Sequence, residues 1–133
     1  MVVYVYPREK KLVITDNHMH INHVKGLGPA KVARRFKRYG GTCLFIVTLP
    51  SWKYGVKVVS GKDYEKLFSL VARYVREVEG EGVKAYAVVG PHPAELTQLV
   101  KRGFSLEEAA EIVREGIDIA AKKVDEGEAV AIG

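Results

Sequence analysis

Residues 42–50 read TCLFIVTLP, and residues 83–90 read VKAYAVVG. Neither run alternates apolar with charged residues, so neither can form a strand with one face in water. Both predict strands covered on two sides, the condition of a parallel sheet. Parallel neighbours need crossovers, and the segments around these runs supply them. Residues 62–80, KDYEKLFSLVARYVREVEG, place Leu67, Leu70, Val71, Tyr74 and Val78 at helical spacing before Gly80. Upstream, GLGPAKVARRFKRYGG (26–41) predicts a helix of about three turns: Pro29 suits the first turn, Val32, Ala33 and Phe36 share a face, and Gly40 stops it.

The same alternation continues to both ends. KLVITD (11–16) reads as a strand, and VVYVY (2–6) as an extra N-terminal strand able to pair with it as a hairpin across PREKK. SWKYGVKVVSG (51–61) reads as a loop. PHPAELTQLVKRG opens a helix at Pro93, and SLEEAAEIVREGIDIAAKKVDEG (105–127) a second one. Ser105 and Glu108 form a capping box on the latter, with Ala109, Ile112, Val113, Ile117 and Ala120 as its buried face. EAVAIG (128–133) is the next strand. The expected fold class is α/β of the parallel (β/α) barrel type, a single partial domain over residues 1–133 with an extra N-terminal strand. A complete TIM barrel takes about 250 residues, so the chain amounts to about half of one.

Composition narrows the setting. With 47% hydrophobic residues the chain can bury an ordinary core. The net charge of +5 comes from 21 basic and 16 acidic residues spread along the chain, which is no concentrated nucleic-acid tail. Many charged residues beside few Cys and Met resemble a heat-adapted protein. Cys43, the one cysteine, excludes an internal disulfide and reads as a buried reduced thiol. No apolar run has membrane-span length and the N-terminus lacks the pattern of a secretory signal, so a cytoplasmic location and no membrane partner are expected. GLGPAK lacks the full glycine fingerprint of a dinucleotide-binding turn and the phosphate-binding lysine arrangement of a P-loop.

The chemistry concentrates in ITDNHMHINH (14–23), which holds three of the four histidines. On a strand, residues two apart point the same way, so Asp16, His18 and His20 would share a face near the strand's C-terminal end. Two imidazoles so placed can grip one metal ion, and that rim is where (β/α) sheets build sites. The plainer alternative is that they line a polar loop. His23 falls outside the register and reads as a loop residue. In LPSWKYG, Trp52, Lys53 and Tyr54 could stack a base and meet a phosphate, or pack as an aromatic lid. The basic run KVARRFKRYG reads as a solvated helix face.

DNHMHI, VVGPHP with His92, and the terminal AVAIG together resemble the TatD-related family of metal-dependent hydrolases, in the amidohydrolase superfamily, from about residue 12 onward. The resemblance implies His18 and His20 as metal ligands, Asp16 as a supporting acid and His92 as a pocket residue near metal or phosphate, the last two being the catalytic candidates. It further implies divalent ions (zinc, manganese, magnesium or nickel), a metal-activated water, and a nucleic-acid or other phosphodiester substrate. In that family a bridging glutamate typically follows the position of Gly133, and further histidines and an aspartate come from later strands. The chain alone is therefore expected to be inactive, being a fragment of a longer protein or a half whose barrel is completed by a second copy or by a complementary C-terminal half. The alternative is a catalytically inactive half-barrel serving as a binding or assembly module.

Overall fold

The computed structural model describes residues 13–133, and the hairpin expected from residues 2–6 lies outside them. Strands β1 (Ile14–Met19), β2 (Gly41–Val47), β3 (Lys84–Val89) and β4 (Ala131–Ile132) form one sheet in the order 1-2-3-4, every pair parallel. Helices α1 (Pro29–Arg38) and α2 (Asp63–Gly80) make the first two crossovers, and the pair α3 (Ala94–Lys101) and α4 (Leu106–Asp125) the third. This is a half-barrel of the (β/α) type, as the two unalternating runs predict. Among the described residues no helix is long and apolar enough to cross a membrane.

Period-2 geometry divides the sheet into a covered and an open face. Leu44, Ile46, Ala85, Ala87 and Val89 are buried, packed with Leu67, Phe68, Val71, Tyr74 and Val78 of α2. Cys43, Phe45, Tyr86 and Val88 point the other way and are only half-buried. The Phe45 and Tyr86 rings lie 5.1 Å apart there, with the Lys84 ammonium 5.3 Å from the Tyr86 centroid. Cys43 is thus not the buried thiol its apolar neighbours suggest, because its face is the one that the other half of a barrel would cover. Gly41 opens β2 at a point where any side chain would overlap the Phe36 ring.

Helix ends follow local chemistry. Pro29 starts α1, and Ser105 caps α4 by accepting from the Glu108 backbone N–H at 3.1 Å. Gly40 has φ +89°, as its stop role requires; beyond α2 the left-handed residue is Gly82 (φ +82°), not Gly80. The buried face of α4 also departs from expectation. Ala109 and Ala120 are buried, but Gly116 and Lys123 join them while Ile117 is 45% exposed. Gly116 is inside because the Tyr64 ring and Pro91 press against its Cα, and Lys123 because Glu65 and Glu128 receive its ammonium. Ile117 belongs to a second apolar stripe, Leu106, Ala110, Val113, Ile117, Ala121 and Val124, on a flank where no described element packs over Leu106 or Ile117.

Candidate metal centre

At the C-terminal ends of the strands lies a cavity of about 230 Å³. Its walls are His18 and His20 from the end of β1, Val47 and Thr48 from β2, Pro91 to Pro93 after β3, and Gly133 after β4. The expected histidine pair is therefore brought together with His92.

The pair owes its geometry to a bulge. From Asp16 to Met19 β1 advances three residues while its partners on β2, Leu44 and Ile46, are two apart. Asp16 turns onto this irregularity, its Oδ1 accepting the His18 backbone N–H at 3.0 Å. The Nε2 atoms of His18 and His20 then face each other at 3.2 Å, with ring centroids 4.8 Å apart at 87°. His20 Nδ1 lies 2.9 Å from the Val47 carbonyl oxygen. A carbonyl can only accept, so Nδ1 carries the proton and Nε2 presents its lone pair to the cavity. That is the tautomer a metal ligand needs.

Nitrogens bound at about 2.0–2.1 Å to one tetrahedral zinc stand about 3.3 Å apart. The observed 3.2 Å separation thus fits two imidazoles on one ion. Among the described residues no group of three or more His, Cys, Asp and Glu side chains is placed to hold an ion. Asp16 is outside the cavity wall, bonded instead to the His18 backbone.

The segment after the pair is held at consecutive residues. Ile21 is buried, Asn22 Nδ2 donates to the Lys53 carbonyl at 2.8 Å, and Asn22 Oδ1 accepts from Val24 N at 2.8 Å. His23, as its register suggests, does not line the cavity. Its ring Nδ1 meets the Tyr74 hydroxyl, which also accepts the His23 backbone N–H at 3.2 Å. Burial pushes the Tyr74 phenol up from its ordinary pKa, so it is the neutral hydroxyl that meets the ring.

His92 is oriented through its other nitrogen. The Ala94 backbone N–H donates to His92 Nδ1 at 3.1 Å, so Nδ1 is the acceptor and the ring proton resides on Nε2. His92 thereby holds the opposite tautomer to His20, with its proton on Nε2.

Between β2 and α2 the loop folds as a 3₁₀ turn, Ser51–Tyr54. Tyr54 is 4% exposed, its oxygen accepting Leu49 N at 2.9 Å, and burial pushes its phenol up to about 12. It cannot stack a base. Trp52 is 37% exposed. The sequence also hides Glu95, which is wholly buried and accepts from Ser51 N at 2.5 Å and Ser51 Oγ at 3.1 Å. Position 95, two residues after the His92-Pro93 pair, is its one sequence cue.

Residues 15–133 match the model of the family described as TatD related DNase. The chain belongs to this family. It is also 36% identical, over 121 residues, to the uncharacterized protein MJ1127 of Methanocaldococcus jannaschii. That alignment covers 88% of this chain and 39% of the relative, so the chain spans well under half of the curated relative's length. No solved structure matches the chain.

Proposed function

We propose that this chain carries the first half of a TatD-type metal-dependent hydrolase site acting on phosphodiesters of the DNA kind. The observation that carries this reading is the 3.2 Å approach of the His18 and His20 Nε2 atoms, with His20 held as the Nδ1–H tautomer by Val47. A divalent ion, whether zinc, manganese, magnesium or nickel, supplies Lewis acidity and lowers the pKa of its water when bound. His18 and His20 would hold it through Nε2. Asp16 keeps the bulged strand end in shape through the His18 amide. His92 offers an Nε2–H donor suited to a phosphate oxygen. A reducing cytoplasm suits its one thiol.

Two imidazoles without a carboxylate partner bind an ion weakly and leave a water without a general base. We therefore assign the remaining ligands and the base to the later strands of a complete barrel, contributed by further residues of the same polypeptide, by a second copy or by a complementary C-terminal half. The half-exposed sheet face and the open stripe on α4 are the surfaces such a half would cover.

Elemental analysis of chelator-free protein, with molar mass by light scattering on the same sample, tests both parts. Near-stoichiometric metal supports the hydrolase site, and a doubled mass identifies the closing half as a second copy. Metal-free protein that stays indifferent to added zinc, manganese, magnesium and nickel overturns the reading and favours an assembly module.

A further inference from the structure

Glu95 is a buried carboxylate that the metal site does not use. Its two oxygens take both donors of one serine, the backbone N–H and the hydroxyl of Ser51. Its own backbone N–H donates to the His92 carbonyl at 2.9 Å. Ser51 ends the segment 47–51, whose first residue, Val47, holds the His20 ring through its carbonyl. Leu49, inside that segment, is tied to Tyr54. A continuous set of contacts thus runs from the ligand His20 through Val47 and Ser51 to Glu95, and from Glu95 to His92.

We propose that Glu95 is a positioning residue that sets the distance of His92 from the His18–His20 pair by locking the loop after β3 onto the segment after β2. The proposal rests on the reading that these three histidines form one site. A carboxylate suits this role because its two oxygens can satisfy two donors of the same residue, and a buried group with its lone pairs committed has one low-energy placement. Removing it leaves the Ser51 N–H buried without an acceptor, which favours opening of the turn. That turn carries Trp52, the one tryptophan, so its fluorescence reports on the lock directly.

The test uses the full chain as wild type, Glu95→Ala, Glu95→Gln and Ser51→Ala. Its readouts are acrylamide quenching of Trp52, the His92 ring resonances by NMR, and zinc titration. For Glu95→Ala, quenching rises about twofold as the turn opens, and the His92 resonances shift. Glu95→Gln, which keeps an acceptor for Ser51 N, restores both most of the way. Ser51→Ala, which loses only the hydroxyl contact, moves both reporters in the same direction by less, and it decides the matter if Glu95→Ala does not fold. Folded Glu95→Ala or Ser51→Ala protein with both reporters at their wild-type values overturns the proposal. Wild-type protein that takes up no zinc sinks the metal reading instead and leaves the two reporters, measured without metal, free to decide on Glu95.

Discussion

His20 Nδ1 lies 2.9 Å from the carbonyl oxygen of Val47, and this single contact decides which nitrogen of the ring faces the cavity. It ties the end of β1 to the end of β2, so the imidazole is held in one orientation. Preorganisation of this kind by an outer partner is how proteins raise the basicity of a ligand and hold its angle.

The pair and the neighbouring histidine should separate cleanly in metal-dependent stability. With free zinc about a hundredfold above its dissociation constant, wild-type protein gains about 2.7 kcal/mol. His18→Ala and His20→Ala each lose that gain, whereas His23→Ala keeps it. Thermal melts with and without zinc measure it, and equal loss in all three variants contradicts the assignment.

Tyr74 serves His23 twice, through the ring and through the backbone N–H. Tyr74→Phe leaves that amide without its acceptor and is expected to cost about 1–2 kcal/mol. Because the ring contact is lost in both single variants, the double variant with His23→Ala should cost less than the sum of the singles by about 1 kcal/mol. Urea unfolding of the four proteins gives the coupling; strict additivity would mean that the contact carries no stability.

Two glycines in helices should respond in opposite directions. A Cβ on Gly116 would lie 2.5 Å from Tyr64 Cδ2 and 2.7 Å from Pro91 Cγ, so Gly116→Ala overpacks the α4 contact and costs about 1–3 kcal/mol. Gly80 has open space around it and no positive φ, so Gly80→Ala at the end of α2 gains about 0.5 kcal/mol. Midpoints of urea unfolding compare them, and a neutral Gly116→Ala would show that Tyr64 and Pro91 move aside freely.

Alkali should destabilise the fold partly through Tyr54. Burial raises its phenol from 10.0 to about 12 in the native state. Between these values the unfolded chain has released a proton that the folded chain keeps, so stability falls as pH rises, by up to about 1.4 kcal/mol per pH unit. Below pH 10 the contribution is fully present. Tyr54→Phe should flatten the slope of stability against pH in this window. A slope identical to that of wild type would remove Tyr54 from the account.

Much of the architecture was legible in local pattern. The unalternating runs at β2 and β3 announced a sheet covered on two faces, and period-3.6 spacing marked α2. Ser105, Pro29 and Gly40 marked helix ends because capping depends on neighbours within a few residues. The histidine pair was legible as a cluster at the strand's C-terminal end, although a bulge between Asp16 and Met19, which the sequence does not announce, brings the two rings together.

What escaped the sequence depended on distant partners. Tyr54 looks like a candidate base-stacking residue and is core; Ile117 looks like core and is exposed; Glu95 and Lys123 are charged and buried. His23 and Tyr74 stand 51 residues apart, and nothing in either neighbourhood points to the other.

By itself, the sequence determined the order of strands and helices, the parallel sense of the sheet and the placing of two imidazoles at one strand end, because these follow from spacing along the chain. Only the tertiary structure decided which ring nitrogen of His20 and of His92 carries the proton, why Asp16 turns onto the backbone, and which charged side chains lie inside. Those outcomes are set by hydrogen bonds to Val47, Ala94, the His18 amide and Ser51, and such bonds depend on where separate elements come to rest against one another.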